Sequence, residues 1–222
     1  MPPLSTERQT PPSRCVIIGG GLAGLAAAAA LVSHKVPVVV LESRNRWGGR
    51  ASSFLDSATQ TYVDNCQHVS MGCCTNLAHF LRITGLEGAL RRERTLYFIG
   101  RDGKTNRFAA SNFPCPFHLA GAFQRLSYLS WRDKLSIALG LKALAGEQRT
   151  GLENQSFAQW LDEHQQTPGA ISGFWHVVLV SALSETLDRI SVPYARKVFV
   201  DGFLKHRDGW CVDIPIVPLE TL

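Results

Sequence analysis

A glycine turn set between two short apolar runs constrains this chain more than any other feature. Cys15-Val16-Ile17-Ile18 is a continuous apolar run, the pattern of a parallel strand buried on both faces. Gly19-Gly20-Gly21 ends it, and Leu22-Ala23-Gly24-Leu25 followed by a run of alanines starts a helix of high propensity. Val38-Val39-Val40-Leu41 then supplies a second buried strand, closed by Glu42. Strand, glycine turn, helix and strand make a βαβ unit, and the spacing Gly19-x-Gly21-x-x-Gly24 gives each glycine its own task. Gly19 permits the tight turn, Gly21 lets the backbone approach a pyrophosphate, and Gly24 lets the helix pack closely on the strand. The free N–H groups and positive dipole end of the helix, around Leu22 and Ala23, then face the phosphates. Glu42 stands where a carboxylate can accept ribose hydroxyls and repel a 2′-phosphate. Pattern, strands, helix and distal acid together predict a Rossmann-like dinucleotide site.

The continuation Glu42-Ser43-Arg44-Asn45-Arg46-Trp47-Gly48-Gly49-Arg50 narrows the nucleotide. Here the chain resembles the flavin-containing amine oxidase and phytoene desaturase superfamily, whose cofactor is FAD. The resemblance implies that Gly48, Gly49 and Arg50 line the pyrophosphate and that Arg44 lies near the adenosine. Two further glycines allow another close backbone approach, and a guanidinium forks onto phosphate oxygens.

Farther on, Asp64-Asn65-Cys66-Gln67-His68 and Gly72-Cys73 resemble the squalene-associated branch, the hydroxysqualene dehydroxylases. Phe174–Glu185 and Lys197–Leu204 are similar to the same branch. The resemblance implies an isoprenoid lipid substrate and places Asp64–His68 close to the flavin ring. His68 can donate a proton near neutral pH, which makes His68 and Asp64 the candidate catalytic acids. The alternative is that both only tie a strand end by hydrogen bonds. A carotenoid desaturase or amine oxidase on the same fold is the rival activity, and an inactive fragment of an FAD domain is the rival from another class.

At 222 residues, 45% apolar and 18% charged, the chain can bury a real core. Residues 1–14 lack the apolar stretch of a secretory signal, so they are expected to be a disordered leader on a cytoplasmic protein. Six cysteines show no spacing typical of zinc sites, and reduced thiols with no metal are expected. The formal charge of +5 permits an anionic partner. No nucleic-acid motif accompanies it, so peripheral contact with the inner face of a membrane is preferred.

Residues 15–75 are expected to hold the FAD-binding βαβ unit and the flavin-proximal segment, and 76–222 a mainly helical substrate-domain portion. The fold class is α/β, a Rossmann-like FAD-binding domain with a helical insert. From Phe113 to Gly146, leucines recur on helical faces and two helices meet near Ser130-Trp131. Ser156 with Gln159 predicts a capped helix to His164, and Pro168-Gly169 a break before another helix over Phe174–Leu183. Superfamily members are longer, so the FAD-binding domain is expected to be incomplete here. A missing C-terminal half would complete the sheet and the cofactor site.

Overall fold

The computed structural model describes residues 14–65, 69–100, 102–147 and 151–221. The expected leader falls outside them except for Arg14, as do Cys66, Gln67 and His68. The chain divides into two compact units: residues 1–69, 75–91 and 214–222 form one, and 70–74 with 92–213 the other. The division therefore does not fall at residue 75. Two later segments return to the first unit.

In the first unit, β1 (Cys15–Ile18) and β2 (Val38–Leu41) pair in parallel, Cys15 opposite Val38 and Ile18 opposite Leu41. Helix α1 (Leu22–Ser33) makes the crossover between them. β3 (Ser53–Asp56) and β4 (Thr61–Asp64) form an antiparallel hairpin, close to the short strands expected after Arg50. Helix α2 (Thr75–Ile83) follows, burying Phe80 and Leu81. No residue of α1 is buried, and Ile18 is 87% exposed.

The second unit contains strands that the helical reading of 76–222 missed. β5 (Ser70–Met71), β6 (Leu90–Glu93) and β9 (Val212–Pro215) form a three-stranded sheet in the order β5-β9-β6, with β6 and β9 running across the division. Arg92 clamps Asp213 within this unit through two charge-assisted bonds of 2.7 Å. β7 (Leu96–Ile99) and β8 (Thr105–Phe108) form a hairpin around Asp102-Gly103, with Gly103 at φ 74°. Aromatic and β-branched residues before an Asp-Gly pair are a hairpin signal.

The helices follow their caps. After the short α3 (Ala120–Gln124), α4 (Trp131–Gly146) begins at a complete capping box. The Ser130 hydroxyl accepts the Asp133 N–H at 3.2 Å, and the Asp133 carboxylate accepts the Ser130 N–H at 3.0 Å. α5 (Phe157–Glu163) begins at the expected Ser156–Gln159 box. Pro168-Gly169, expected as a break, instead starts a helix. Thr167 caps α6 (Pro168–Ala170), with Pro168 preset in its first turn, and the chain runs through a π-helical turn (Ile171–Trp175) into α7 (His176–Leu183). α8 (Val192–Arg196) likewise continues into a π-helical segment, Lys197–Leu204.

One buried cluster holds the second unit together. Ile137, Leu144, Phe157, Trp160, Trp175, Leu179 and Phe199 are each at most 1% exposed, and their rings meet edge-on or stacked.

Candidate functional site

The residues expected at the cofactor come together in the first unit as a backbone cradle. Gly19 adopts φ 104°, a left-handed conformation that glycine accepts without a Cβ penalty, and its N–H donates to Leu41 O at 2.7 Å. A Cβ on Gly24 would fall onto the carbonyl oxygen of Gly19, so the helix lies against the turn as closely as backbone permits. At Gly21 the opposite holds, for a Cβ would project into open space with no atom within 4 Å. Gly21 is also the N-cap of α1, with no side chain bonded to it and no acid in the first turn. Among the described residues, no capping side chain and no acid of the first turn therefore meets the first-turn N–H groups, which include those of Leu22 and Ala23.

The second glycine pair completes the cradle. Gly48 pairs with Gly21 in a parallel bridge, and its N–H donates to Gly20 O at 2.9 Å. A Cβ on Gly49, which lies at φ 63°, would come within 3.2 Å of the Gly21 Cα. Arg50 is exposed beside this turn, and its carbonyl accepts Asn65 Nδ2 at 3.5 Å.

Glu42 does more than the sequence implied. Its Oε2 accepts the Gly20 N–H at 2.7 Å, tying β2 to the glycine turn, and its Oε1 accepts Arg44 N–H at 2.9 Å and Ser43 Oγ–H at 3.2 Å. Those backbone bonds, from Arg44 first and then Gly20, hold its pKa below the usual range. A carboxylate offers about four acceptor sites, so one remains for a ribose hydroxyl, and a second if Ser43 rotates away. Arg44 is exposed and lines a recess of about 390 Å³ with Glu42, Asn45, Arg46 and Trp47. Guanidinium planes and an indole can stack on a purine. Trp47, missed in the sequence, also covers Gly20, where a Cβ would collide with its ring. Open space at Gly21, uncapped N–H groups and an acid beside a planar-walled recess fit the adenosine diphosphate part of FAD.

Of the two candidate acids, Asp64 ends β4. Its Oδ1 accepts Ser53 Oγ–H at 2.6 Å and Leu219 N–H at 3.2 Å. These bonds give it the work of a structural tie. His68 lies outside the described residues.

The second unit holds a cavity of about 500 Å³ that the sequence did not reveal. Its wall comes from β7 and β8 (Phe98, Phe108), the turn before α3 (Phe117, Leu119), α3 and α4 (Phe123, Leu141), and both π-helical segments (Phe174, Phe199). π-Helical turns often mark functional sites. Among the described residues, Lys142 is the one charged residue in the lining, and no carboxylate contributes to it. Volumes of about 300–1,000 Å³ with apolar walls are typical of small-molecule sites.

Beside that wall, between Phe117 and Leu119, His118 is fully buried, with no hydrogen-bond partner at either ring nitrogen among the described residues. Burial first, and then the Arg207 guanidinium, push its pKa below 6.5. A histidine buried neutral contributes no net pH dependence above its unfolded pKa and favours unfolding as pH falls through it. The thermal midpoint is therefore expected to drop on acidification below pH 6.5, and His118→Phe to flatten that slope. Parallel slopes for the two proteins in a calorimetric pH series would refute this.

Residues 22–195 match the family described as flavin containing amine oxidoreductase. A zeta-carotene desaturase of Solanum lycopersicum is 30% identical over 191 residues, covering 80% of this chain and 32% of the relative. A hydroxysqualene dehydroxylase of Sinorhizobium fredii is 38% identical over 79 residues, covering 36% of this chain and 19% of the relative. The chain thus spans about a third of the length of the desaturase it matches. Among solved structures, an oxidoreductase from Methanosarcina mazei superposes with a TM-score of 0.64 at 21% identity, covering 93% of this chain and 46% of that one. At that identity the likeness shows the fold.

Proposed function

Because the chain belongs to the flavin-containing amine oxidoreductase family, we propose that the protein is an FAD-dependent oxidoreductase of isoprenoid metabolism that removes the hydroxyl of hydroxysqualene reductively to give squalene. The observation that carries this reading is the cavity of about 500 Å³, walled by aromatic and aliphatic side chains. It suits a hydrocarbon and not an amine, since its lining among the described residues has no carboxylate to meet an ammonium and Lys142 would repel one. The Asp64–His68 and Gly72-Cys73 segments support the squalene branch by resemblance. A second reading, desaturation of a carotene, is supported by the desaturase match across 80% of the chain.

When bound, FAD supplies two-electron hydride chemistry. The chain's own tasks are to hold the dinucleotide on the Gly19–Gly24 and Gly48–Arg50 backbone, to keep the reacting hydrocarbon out of water, and to supply a proton to the departing hydroxyl. With Asp64 engaged by Ser53 and Leu219, the proposed acid is His68.

An anionic membrane surface is the proposed partner. Trp131, Leu135 and Leu139, at four-residue spacing on α4, are 69%, 53% and 58% exposed. Arg132 and Lys142 lie on the same exposed face. Ala138, Leu141, Lys142 and Ala145 of the same helix line the cavity. A Trp/Leu face flanked by cations is suited to the headgroup boundary of an anionic bilayer. No helix among the described residues is long and apolar enough to cross a membrane.

In the full-length context, with reduced FAD and hydroxysqualene, squalene is the expected product by gas chromatography. Ala138→Trp, which fills the cavity from an exposed helix face, is expected to cut turnover at least about tenfold, the effect of losing ~1.4 kcal/mol of substrate binding. Zeta-carotene turnover with oxidised FAD and none of hydroxysqualene would establish the desaturase reading. Failure to take up FAD would favour the inactive-fragment reading. Sedimentation with phosphatidylserine vesicles, weakened by Leu135→Glu with Leu139→Glu and absent with pure phosphatidylcholine, checks the membrane partner. Undiminished sedimentation of the double variant would reject it.

A further inference from the structure

Cys73 and Cys74 have no part in the proposed reaction, yet they are held as a pair. The segment carrying them is pinned along its length. Gly72 N–H donates to Cys211 O at 2.9 Å, Cys73 N–H to Gly209 O at 3.3 Å, and Cys74 N–H to Met71 O at 2.8 Å. Gly72 cannot carry a side chain, because a Cβ there would meet the Asp208 carbonyl. Cys73 is half-buried, with its sulfur 3.6 Å from where a Cβ on Gly202 would stand, and Cys74 is exposed. Both are free thiols.

We propose that Cys73 and Cys74 form an accessible vicinal dithiol that binds soft, thiophilic centres of the trivalent-arsenical type through both sulfurs. Adjacency in the chain and the backbone bonds of Gly72, Cys73 and Cys74 hold the two residues together in a fixed segment. Once one sulfur bonds, closure by the other is intramolecular and benefits from a high effective concentration. Soft thiolate ligands select soft centres. Among the described residues, no group of three His, Cys, Asp or Glu could hold a metal ion.

The charges around the pair favour a reactive first thiolate. Donation from Cys73 lowers the Cys74 pKa to about 6, helped by the Met71 backbone and Lys197 and opposed by partial burial and Asp213. The same hydrogen bond, burial, the Cys74 charge and Asp201 push Cys73 upward. Near neutral pH the pair is one thiolate and one thiol. The reaction with a monosubstituted arsine oxide needs no oxidant. Two As–S bonds form, the As–O bond breaks, and the oxygen leaves as water with the one thiol proton and one proton from solvent, the arsenic remaining trivalent.

Phenylarsine oxide is the probe, with intact-mass spectrometry and peptide mapping as readout. One phenylarsenic adduct per chain is expected on the peptide bearing Cys73 and Cys74, removed by 2,3-dimercaptopropanol and resistant to excess 2-mercaptoethanol. Cys73→Ser and Cys74→Ser should each lose the monothiol-resistant adduct, while Cys15→Ser and Cys115→Ser keep it. An adduct that survives in either of the first two variants, or that a monothiol strips from the native chain, overturns the proposal. Site-resolved iodoacetamide labelling gives an independent measure that does not rely on arsenic. Cys74 alkylation should rise with an inflection near pH 6, and Cys73→Ser should move it upward. An inflection that stays in place in that variant would equally refute the pair.

Discussion

Gly21→Val is expected to abolish FAD binding while the chain keeps its fold, and Gly24→Ala to do the reverse damage by disrupting the βαβ unit itself. The contrast comes from the space around two glycines three residues apart. At Gly21 a Cβ meets nothing within 4 Å, so a branched side chain is tolerated by the protein and intrudes only where the pyrophosphate must approach. At Gly24 a single methyl group falls on the Gly19 carbonyl, so the helix must lift from the turn. Overpacking of this kind costs ~1–3 kcal/mol, and backbone contact puts it at the upper end. Calorimetric titration with FAD or ADP, beside circular dichroism and thermal unfolding, separates the two effects. A Gly21→Val protein that binds nucleotide normally, or a Gly24→Ala protein as stable as the native one, would show that the turn is not the cradle described.

The largest stability effect is expected from Trp175→Ala. Trp175 is 0% exposed, lies edge-on to Phe157, Trp160, Phe174 and Phe199, and donates from its indole nitrogen to Gln166 Oε1 at 2.8 Å. Removing a buried ring of this size costs ~3–5 kcal/mol in cavity and transfer terms. That is a large part of the ~5–15 kcal/mol that holds a typical domain folded. Trp175→Phe keeps most of the packing and loses the bond to Gln166, so it should cost less, on the order of 1–3 kcal/mol. Urea unfolding of the two variants gives the comparison. Equal losses would mean that the hydrogen bond, and not the ring, dominates.

The cradle was legible in the sequence because its parts are local. Gly19, Gly21, Gly24 and Glu42 are spaced by a single strand-helix-strand unit, and backbone geometry alone dictates which positions lack a Cβ. The helix cap at Ser156 was legible for the same reason, since it needs only a partner three residues on, whereas the Ser130–Asp133 box emerged only from the structure. The Pro168 start was misread because proline ends a helix in most positions and opens one only behind a cap such as Thr167. The strands at Leu90–Glu93 and Val212–Pro215 could not be read from pattern. They are short, and the pairing that defines them joins residues far apart in the chain. The cavity was invisible for a related reason. Leu141, Phe174 and Phe199 look like core residues one at a time, and only the packed structure shows a gap among them. Similarly, the leucines of α4 divide between core and surface: Leu144 is buried while Leu135 and Leu139 are exposed.

The uneven burial of the two units has a consequence for how the chain opens. Backbone amides exchange with solvent deuterium at rates set by the cheapest local opening that frees them. The helix bearing Trp175 and Leu179 is anchored in a dense buried cluster, so its amides should exchange only in rare, extensive openings. Helix α1 buries no residue at all, and the strand beside it leaves Ile18 87% exposed, so the amides of that crossover should exchange through frequent, shallow openings. A nucleotide bonded to the first-turn N–H groups would then act as a clasp on the softer region. Its arrival should slow deuterium uptake across residues 15–42 far more than across 168–183, and the ratio of those two changes would locate the ligand without any measure of turnover.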